Sequence, residues 1–93
     1  MGQAFIPGTL LVSDRAADLL DLFLMDELTT RHVQCDFGEI PEYEVIANHH
    51  AIRHGGFVVS LYSIGKAERI LIKTELEHQM TKVMLEHERS QFF

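Results

Sequence analysis

The spacing of apolar residues changes once along this chain, and that change limits the folds available to it. From Ser13 to about residue 54, apolar residues recur every three to four positions, which is the period of amphipathic helices. From Phe57 onward they recur at every second position, which is the period of strands with one buried face. A helical first half and a strand-rich second half predict an α+β domain.

Two helical regions are predicted after a brief strand at Thr9–Val12, which follows the turn pair Pro7-Gly8. Ser13 has a hydroxyl suited to a helix N-cap, and the residues after it predict an amphipathic helix from about 14 to 34, either continuous or broken near Asp26. The buried stripe of this helix is predicted to contain Ala16, Leu20, Phe23, Leu24 and Leu28.

The next helix is predicted to begin at Pro41 and to end before Gly55-Gly56, because proline favours the first helical position and glycine the position after the end. Its buried side is predicted to hold either Tyr43, Ile46, Ala47 and His50 or Val45, His49 and Ile52.

The second half predicts a hairpin and one ambiguous segment. Alternating residues over 57–64 and 69–74, joined by a turn at 65–68, predict the hairpin. In the segment 75–88, helical spacing is found for Leu76, Met80, Val83 and Met84, whereas Thr81, Val83 and Leu85 alternate as in a strand. Local propensity favours a helix there. The last five residues are expected to be frayed.

Short polar motifs follow one another in a fixed order: Arg31-His32, Asp36-Phe37-Gly38-Glu39, Ala47-Asn48, Gly55-Gly56, Ser60-Leu61-Tyr62 and Thr74-Glu75. In this order, over residues 8–88, the chain resembles a family of small uncharacterised "plasmid-related" proteins. Its members are encoded on plasmids, phages and genomic islands, and some are labelled a type I restriction subunit. Phe37 stands where the family has tryptophan, Glu39 stands where it has aspartate, and its Ser-Pro break between the first helices is missing.

The resemblance implies a strand over 81–85, and we follow it against local propensity. The predicted fold is therefore a short N-terminal strand, two to three helices and a three-stranded antiparallel meander that the helices cover on one face. An exposed edge strand in so small a sheet would favour a homodimer. The family brings no established activity.

Length and charge narrow the class of protein. The 93 residues fit a single domain, and 46% hydrophobic residues can supply its core. No apolar run is long enough to span a membrane, and no secretion signal is evident, so we expect a cytoplasmic protein. The net charge is -6, and residues 13–44 hold nine acids against two arginines. Direct nucleic-acid binding is therefore disfavoured, and a partner protein with a basic surface is favoured.

Three groups of side chains are candidates for function. The acidic candidates for protein binding are Asp14, Asp18, Asp21, Asp26 and Glu27. The candidates for a polar network or pocket, of which we favour a network, are Arg31, His32, Asp36, Asn48 and Tyr62. A zinc site would use His32, Cys35, His50 and His54. The histidines near a helix end are more simply surface or capping residues, so no metal or other cofactor is expected.

The leading functional hypothesis is a non-enzymatic accessory protein of a mobile genetic element that acts by binding another protein, such as a host restriction or CRISPR nuclease. The alternative is a metal protein or enzyme using the His and Cys residues. For catalysis, Cys35 lacks an evident orienting group and oxyanion site. The third is a DNA-binding regulator, which the chain's lack of a basic stripe disfavours.

Overall fold

The computed structural model describes residues 2–92, in which four strands form one sheet and four helices pack against it. In chain order the elements are strand β1 (Thr9–Val12), helices α1 (Asp14–Leu19), α2 (Leu22–Val33) and α3 (Glu42–His54), strands β2 (Phe57–Ile64), β3 (Glu68–Glu75) and β4 (Met80–Leu85), a 3₁₀ turn (Glu86–Glu88) and helix α4 (Arg89–Phe92). The α+β class is therefore confirmed. No helix among the described residues has the length and apolar character that crossing a membrane requires.

The predicted three-stranded meander is present, but it is only part of the sheet. Strands β2, β3 and β4 pair in antiparallel order, which confirms the strand interpretation of Thr81–Leu85. Strand β1 adds a fourth strand, parallel to β4, so the sheet order is β1-β4-β3-β2. The backbone of Gly8 lies against Gln79 so closely that a Cβ on Gly8 would stand 1.8 Å from the Gln79 carbonyl oxygen. The strand itself was predicted at Thr9–Val12, but a four-residue strand carries no local signal of so distant a partner, so its place in the sheet was not predicted.

The first helical region is broken, but not near Asp26. The break lies at Leu20–Asp21, where Leu20 is extended and buried. Asp21 caps α2 by accepting a hydrogen bond from the Leu24 N–H at 2.8 Å. The break shifts the phase of the buried stripe, so Leu24 is half-buried while Phe23 is 89% exposed. The prediction that Phe23 belongs to the core is wrong for this reason.

Helix α3 begins at Glu42, one residue after the predicted start, because Pro41 is its N-cap, and it lies along the edge of β2. Its buried residues are Asn48 and Ala51, with Val45 and Ile52 half-buried. The first predicted face is therefore wrong, because its members Tyr43, Ile46, Ala47 and His50 are exposed. The second face is correct for Val45 and Ile52, but His49 is exposed.

The sheet buries side chains on both faces. Helices α1 and α2 cover one face, where the core contains Ala16, Leu20, Leu28, Tyr62, Ile70, Ile72, Val83 and Leu85. The opposite face buries a smaller cluster of Leu61, Leu71 and Met84.

Near the C-terminus, the Glu88 carboxylate accepts hydrogen bonds from the Ser13 hydroxyl at 2.7 Å and from the Leu85 N–H at 2.9 Å. These bonds fix the 3₁₀ turn that leads into α4, so the prediction of a frayed end is wrong for Arg89–Phe92, while Phe93 lies outside the described residues.

Candidate interaction surface and buried polar network

The five acidic candidates all lie on or beside the two short helices that follow β1. Asp14, Asp18, Asp21, Asp26 and Glu27 are exposed. None of them forms an ion pair with another residue of the part that the structure describes. Their charges are therefore not neutralised by a contacting lysine or arginine, and they remain available to a partner.

Large apolar side chains are exposed among these acids. Leu22 is 87% exposed, Phe23 89% and Leu19 45%. On α2, Leu22 stands one turn before Asp26, and Phe23 stands one turn before Glu27, so each apolar side chain has an acid beside it on the helix surface. We call the exposed side chains of Leu19, Leu22, Phe23 and the five acids the α1–α2 surface. Sequence reasoning found its acids but missed its apolar part, since the cap at Asp21 was not recognised.

An open groove adjoins this surface. Its volume is about 490 Å³, and it is lined by Leu19 and Leu24 on the helices and by Ile64 and residues 65–68 of the β2–β3 turn. Its walls are mainly apolar, with Lys66 and Glu68 at the turn. The α1–α2 surface therefore combines projecting apolar side chains with unpaired negative charge, and a groove lies beside it.

Three of the five polar candidates meet at the connector between α2 and α3. The Arg31 Nε donates to the Asp36 carboxylate at 2.7 Å, and the Arg31 guanidinium lies 4.6 Å from the centre of the Tyr62 ring. The Tyr62 hydroxyl donates to the Asp36 carbonyl oxygen at 2.6 Å. The hydrogen bond between the two side chains raises the pKa of Arg31 and lowers the pKa of Asp36, and burial raises the pKa of Tyr62 to about 12. These contacts attach the connector to β2.

His32 occupies a separate chain of buried hydrogen bonds. Its Nδ1 lies 2.5 Å from the Ser60 hydroxyl, and its Nε2 lies 2.9 Å from the Thr74 hydroxyl. The Thr74 hydroxyl lies 2.7 Å from that of Thr81, which donates to the Pro7 carbonyl oxygen at 2.6 Å. The His32 side chain is fully buried, and that burial lowers its pKa to about 3. His32 is therefore neutral at ordinary pH.

The direction of every hydrogen bond in this chain follows from its end. A carbonyl oxygen can only accept, so the Thr81 hydroxyl uses its single proton on Pro7. Thr74 must then donate to Thr81 and accept from His32, which places the His32 proton on Nε2. The His32 Nδ1 is left to accept from Ser60. Both ring nitrogens are therefore used, and neither has a lone pair for a metal.

The four residues proposed as zinc ligands do not form one site. The rings of His50 and His54 lie 4.5 Å apart on exposed positions of α3, while both nitrogens of the His32 ring are engaged in the core. Cys35 is partly exposed, and burial raises the pKa of its thiol, which disfavours the thiolate that would bind zinc. Over residues 2–92, no group of three or more His, Cys, Asp or Glu residues is arranged to hold a metal ion.

The fifth polar candidate, Asn48, closes the edge of the sheet. Its side-chain amide donates to the Val59 carbonyl oxygen at 2.8 Å and accepts from the Val59 N–H at 3.0 Å. Two residues along β2, the Leu61 N–H donates to the Phe37 carbonyl oxygen at 3.0 Å, and the Glu39 N–H donates to the Leu61 carbonyl oxygen at 2.7 Å. The five polar candidates thus make structural hydrogen bonds in three separate places.

No protein-family model, curated protein or solved structure matches this chain. The chemistry of its own surface is therefore what bears on its function.

Proposed function

We propose that this chain is a non-enzymatic accessory protein that acts by binding another protein through its α1–α2 surface. The observation that supports this most strongly is the exposure of Leu22 and Phe23 beside unpaired acids. Large apolar side chains carry much of the binding energy in protein interfaces, whereas charged neighbours add specificity and speed association. Large apolar side chains exposed side by side mark protein interaction sites more often than isolated ones do, so the arrangement supports a binding surface.

The partner that fits this surface is a protein with an apolar site surrounded by lysine and arginine. The five unpaired acids of the α1–α2 surface produce a local field that attracts such a surface. Surfaces that bind nucleic acids have this basic character. Together with the resemblance to plasmid-related proteins, this leads us to propose a cytoplasmic protein of a mobile genetic element that occupies the nucleic-acid site of a host restriction or CRISPR nuclease.

The alternative hypothesis of a metal protein or enzyme is less well supported by the geometry. His32 is committed to the core, and Cys35 lies in a connector where burial disfavours its thiolate. Elemental analysis of the purified protein tests the alternative directly. One zinc ion per chain would support the metal-protein alternative, whereas a purified protein that contains no zinc and is stably folded would exclude it.

Paired charge reversals test the proposed function. The test variant changes Asp18, Asp26 and Glu27 to Lys, and the control changes Glu42, Glu44 and Glu77, which lie outside the α1–α2 surface, to Lys. Both variants have the same net charge, so they differ only in where the charge is reversed. Each protein is used for affinity capture from the native host, followed by quantitative mass spectrometry.

We expect one host protein to be enriched by the wild type and by the control and to be lost by the test variant. Its affinity should fall at least tenfold with the test variant, which corresponds to about 1.4 kcal/mol. Equal enrichment by both variants would contradict the proposed surface.

A further inference from the structure

The two edges of the sheet differ in how they are covered. The outer edge of β2 is closed by Asn48 and by the connector at Phe37 and Glu39. On β1, the Thr9 N–H donates to Gln79 and the Ser13 N–H donates to Val83, so the odd-numbered residues face β4. Since successive backbone groups alternate in direction, the N–H and C=O of Leu10 and Val12 point away from the sheet.

Strand β1 is short, but it lacks the charged and proline residues that protect many edge strands. Its sequence, Thr-Leu-Leu-Val, contains no charge and no proline. Leu10 is 37% exposed and Leu11 is 47% exposed. Such a strand offers both hydrogen-bonding groups and apolar side chains to a second strand.

The charge distribution favours a second copy of this chain as the occupant. Each copy carries a net charge of -6, so two copies repel each other wherever their acidic parts meet. Residues 1–13 contain no charged side chain, and the first acid along the chain is Asp14. Strand β1 therefore lies in a segment through which two copies can approach without like charges in contact. Strand β1 itself presents no acid to a basic partner, whose charges are better matched by the α1–α2 surface.

We propose that this protein forms a symmetric dimer in which β1 pairs with β1 of a second copy, antiparallel about a two-fold axis at Leu11. In this register Leu10 lies opposite Val12 of the second copy, and Val12 lies opposite its Leu10. The outward N–H and C=O groups of these residues then form four hydrogen bonds across the axis. The two Leu11 side chains lie opposite each other on the same face.

The self-complementary spacing is what selects this register. Leu10 and Val12 are placed symmetrically about Leu11, so an antiparallel copy matches every outward group of the strand with its complement. The result is one continuous sheet through both copies. The closed edge of β2 cannot take part, so the pairing stops at two copies and does not extend into a fibre. This dimer is independent of the proposed function.

Cysteine cross-linking tests both the dimer and its register. In a Cys35→Ser background, Leu11→Cys places two thiols in a non-hydrogen-bonded pair, where Cα atoms are about 4.5 Å apart and a disulfide fits. The matched control is Thr9→Cys, on the same face of β1 and also exposed. We expect mild oxidation to convert Leu11→Cys, and not Thr9→Cys, to a covalent dimer.

Sedimentation equilibrium of the wild type supplies the second readout. We expect a mass of twice the 10.7 kDa of one chain, with the dissociation constant raised at least tenfold by Leu11→Lys and little changed by Thr9→Lys. Circular dichroism checks that each variant is folded. A wild type that stays monomeric at about 0.5 mM, or a dimer that cross-links through Thr9→Cys instead, would overturn the proposal. So would a β1 edge that binds a strand of another protein in place of a second copy.

Discussion

The side-chain amide of Asn48 binds both backbone groups of Val59, donating to its carbonyl oxygen at 2.8 Å and accepting from its N–H at 3.0 Å. A helix residue here makes the two hydrogen bonds that a neighbouring strand would make. The bonds orient α3 along β2 and leave its exposed side to solvent. Asn48 therefore links the packing of α3 to the integrity of the sheet edge.

Asn48→Ala should lower the free energy of unfolding by about 1–3 kcal/mol, because the half-buried Val59 groups lose their partners. Urea denaturation followed by circular dichroism measures this. The control is Ala47→Ser at the preceding exposed position, which should change stability by less than about 0.5 kcal/mol. Equal stability of the two variants would show that Asn48 does not hold the edge.

Gly38→Ala should be more costly than the same change at Gly65. Both residues have positive φ, +72° at Gly38 and +63° at Gly65. A Cβ at Gly38 would stand 2.1 Å from the Leu61 carbonyl oxygen, whereas nothing lies within 4 Å of one at Gly65. We expect Gly65→Ala to cost about 1 kcal/mol for its backbone conformation. Gly38→Ala should cost at least about 2 kcal/mol more, because the connector must leave β2. Equal losses in thermal denaturation would contradict this contact.

Stability should depend on pH through His32. Burial lowers the His32 pKa from 6.5 to about 3, so below pH 6.5 the unfolded chain binds a proton that the folded chain does not. The contribution of neutral His32 to the free energy of unfolding is complete above pH 6.5 and is lost as the pH falls toward 3. Between these pH values, the free energy of unfolding should change by up to about 1.4 kcal/mol per pH unit.

Carboxylates add to this loss only at lower pH. Hydrogen bonds with Arg31 and Lys82 lower the pKa values of Asp36 and Glu75 respectively, so their stabilisation is lost as the pH falls below their ordinary range near 4. Between pH 6.5 and 5, the free energy of unfolding should therefore depend less on pH in His32→Gln than in the wild type. An unchanged pH dependence, or an NMR titration of His32 with a midpoint above pH 5, would contradict the buried neutral ring. Nitrogen NMR should also find the proton on Nε2.

The sequence predicted those elements whose signals are local. The turn at 65–68 and the apolar alternation on either side of it specify the hairpin, and Pro41 with Gly55 specifies the ends of α3. Strand β4 forms although the local helix propensity of its segment is high, because its alternating residues Thr81, Val83 and Leu85 are buried when it pairs with β3. The alternation left strand and helix open in the sequence, and the resemblance decided between them.

The parts of the fold and of the candidate site that the sequence did not predict depend on contacts between residues that are far apart in the sequence. The partner of β1 is about 70 residues away in the sequence, so no local pattern identifies it. The functional candidates show the same limit. Residue type identified Arg31, His32 and Asn48 as polar side chains that need partners, but their partners Asp36, Ser60 and Val59 required the folded chain. For Phe23, one unrecognised cap moved an apparent core residue to the surface.

The exposed apolar side chains of the α1–α2 surface should contribute little to folding. Because Leu22 is 87% and Phe23 89% exposed, changing both to Ala should alter the free energy of unfolding by less than about 0.5 kcal/mol. Leu28 on the same helix is 2% exposed, so Leu28→Ala should cost about 2–5 kcal/mol. A large loss in the double variant would mean that these side chains pack in the core and are not free to bind.

The affinity of this stable double variant for the captured partner tests the central claim most directly. Isothermal titration calorimetry should show that Leu22→Ala/Phe23→Ala weakens binding at least about thirtyfold, or about 2 kcal/mol, as expected when an interface loses its apolar anchors. The folded state should be unchanged, and binding of the wild type should weaken with added salt because the surrounding contacts are charged. An affinity equal to that of the wild type would contradict the assignment of function to the α1–α2 surface.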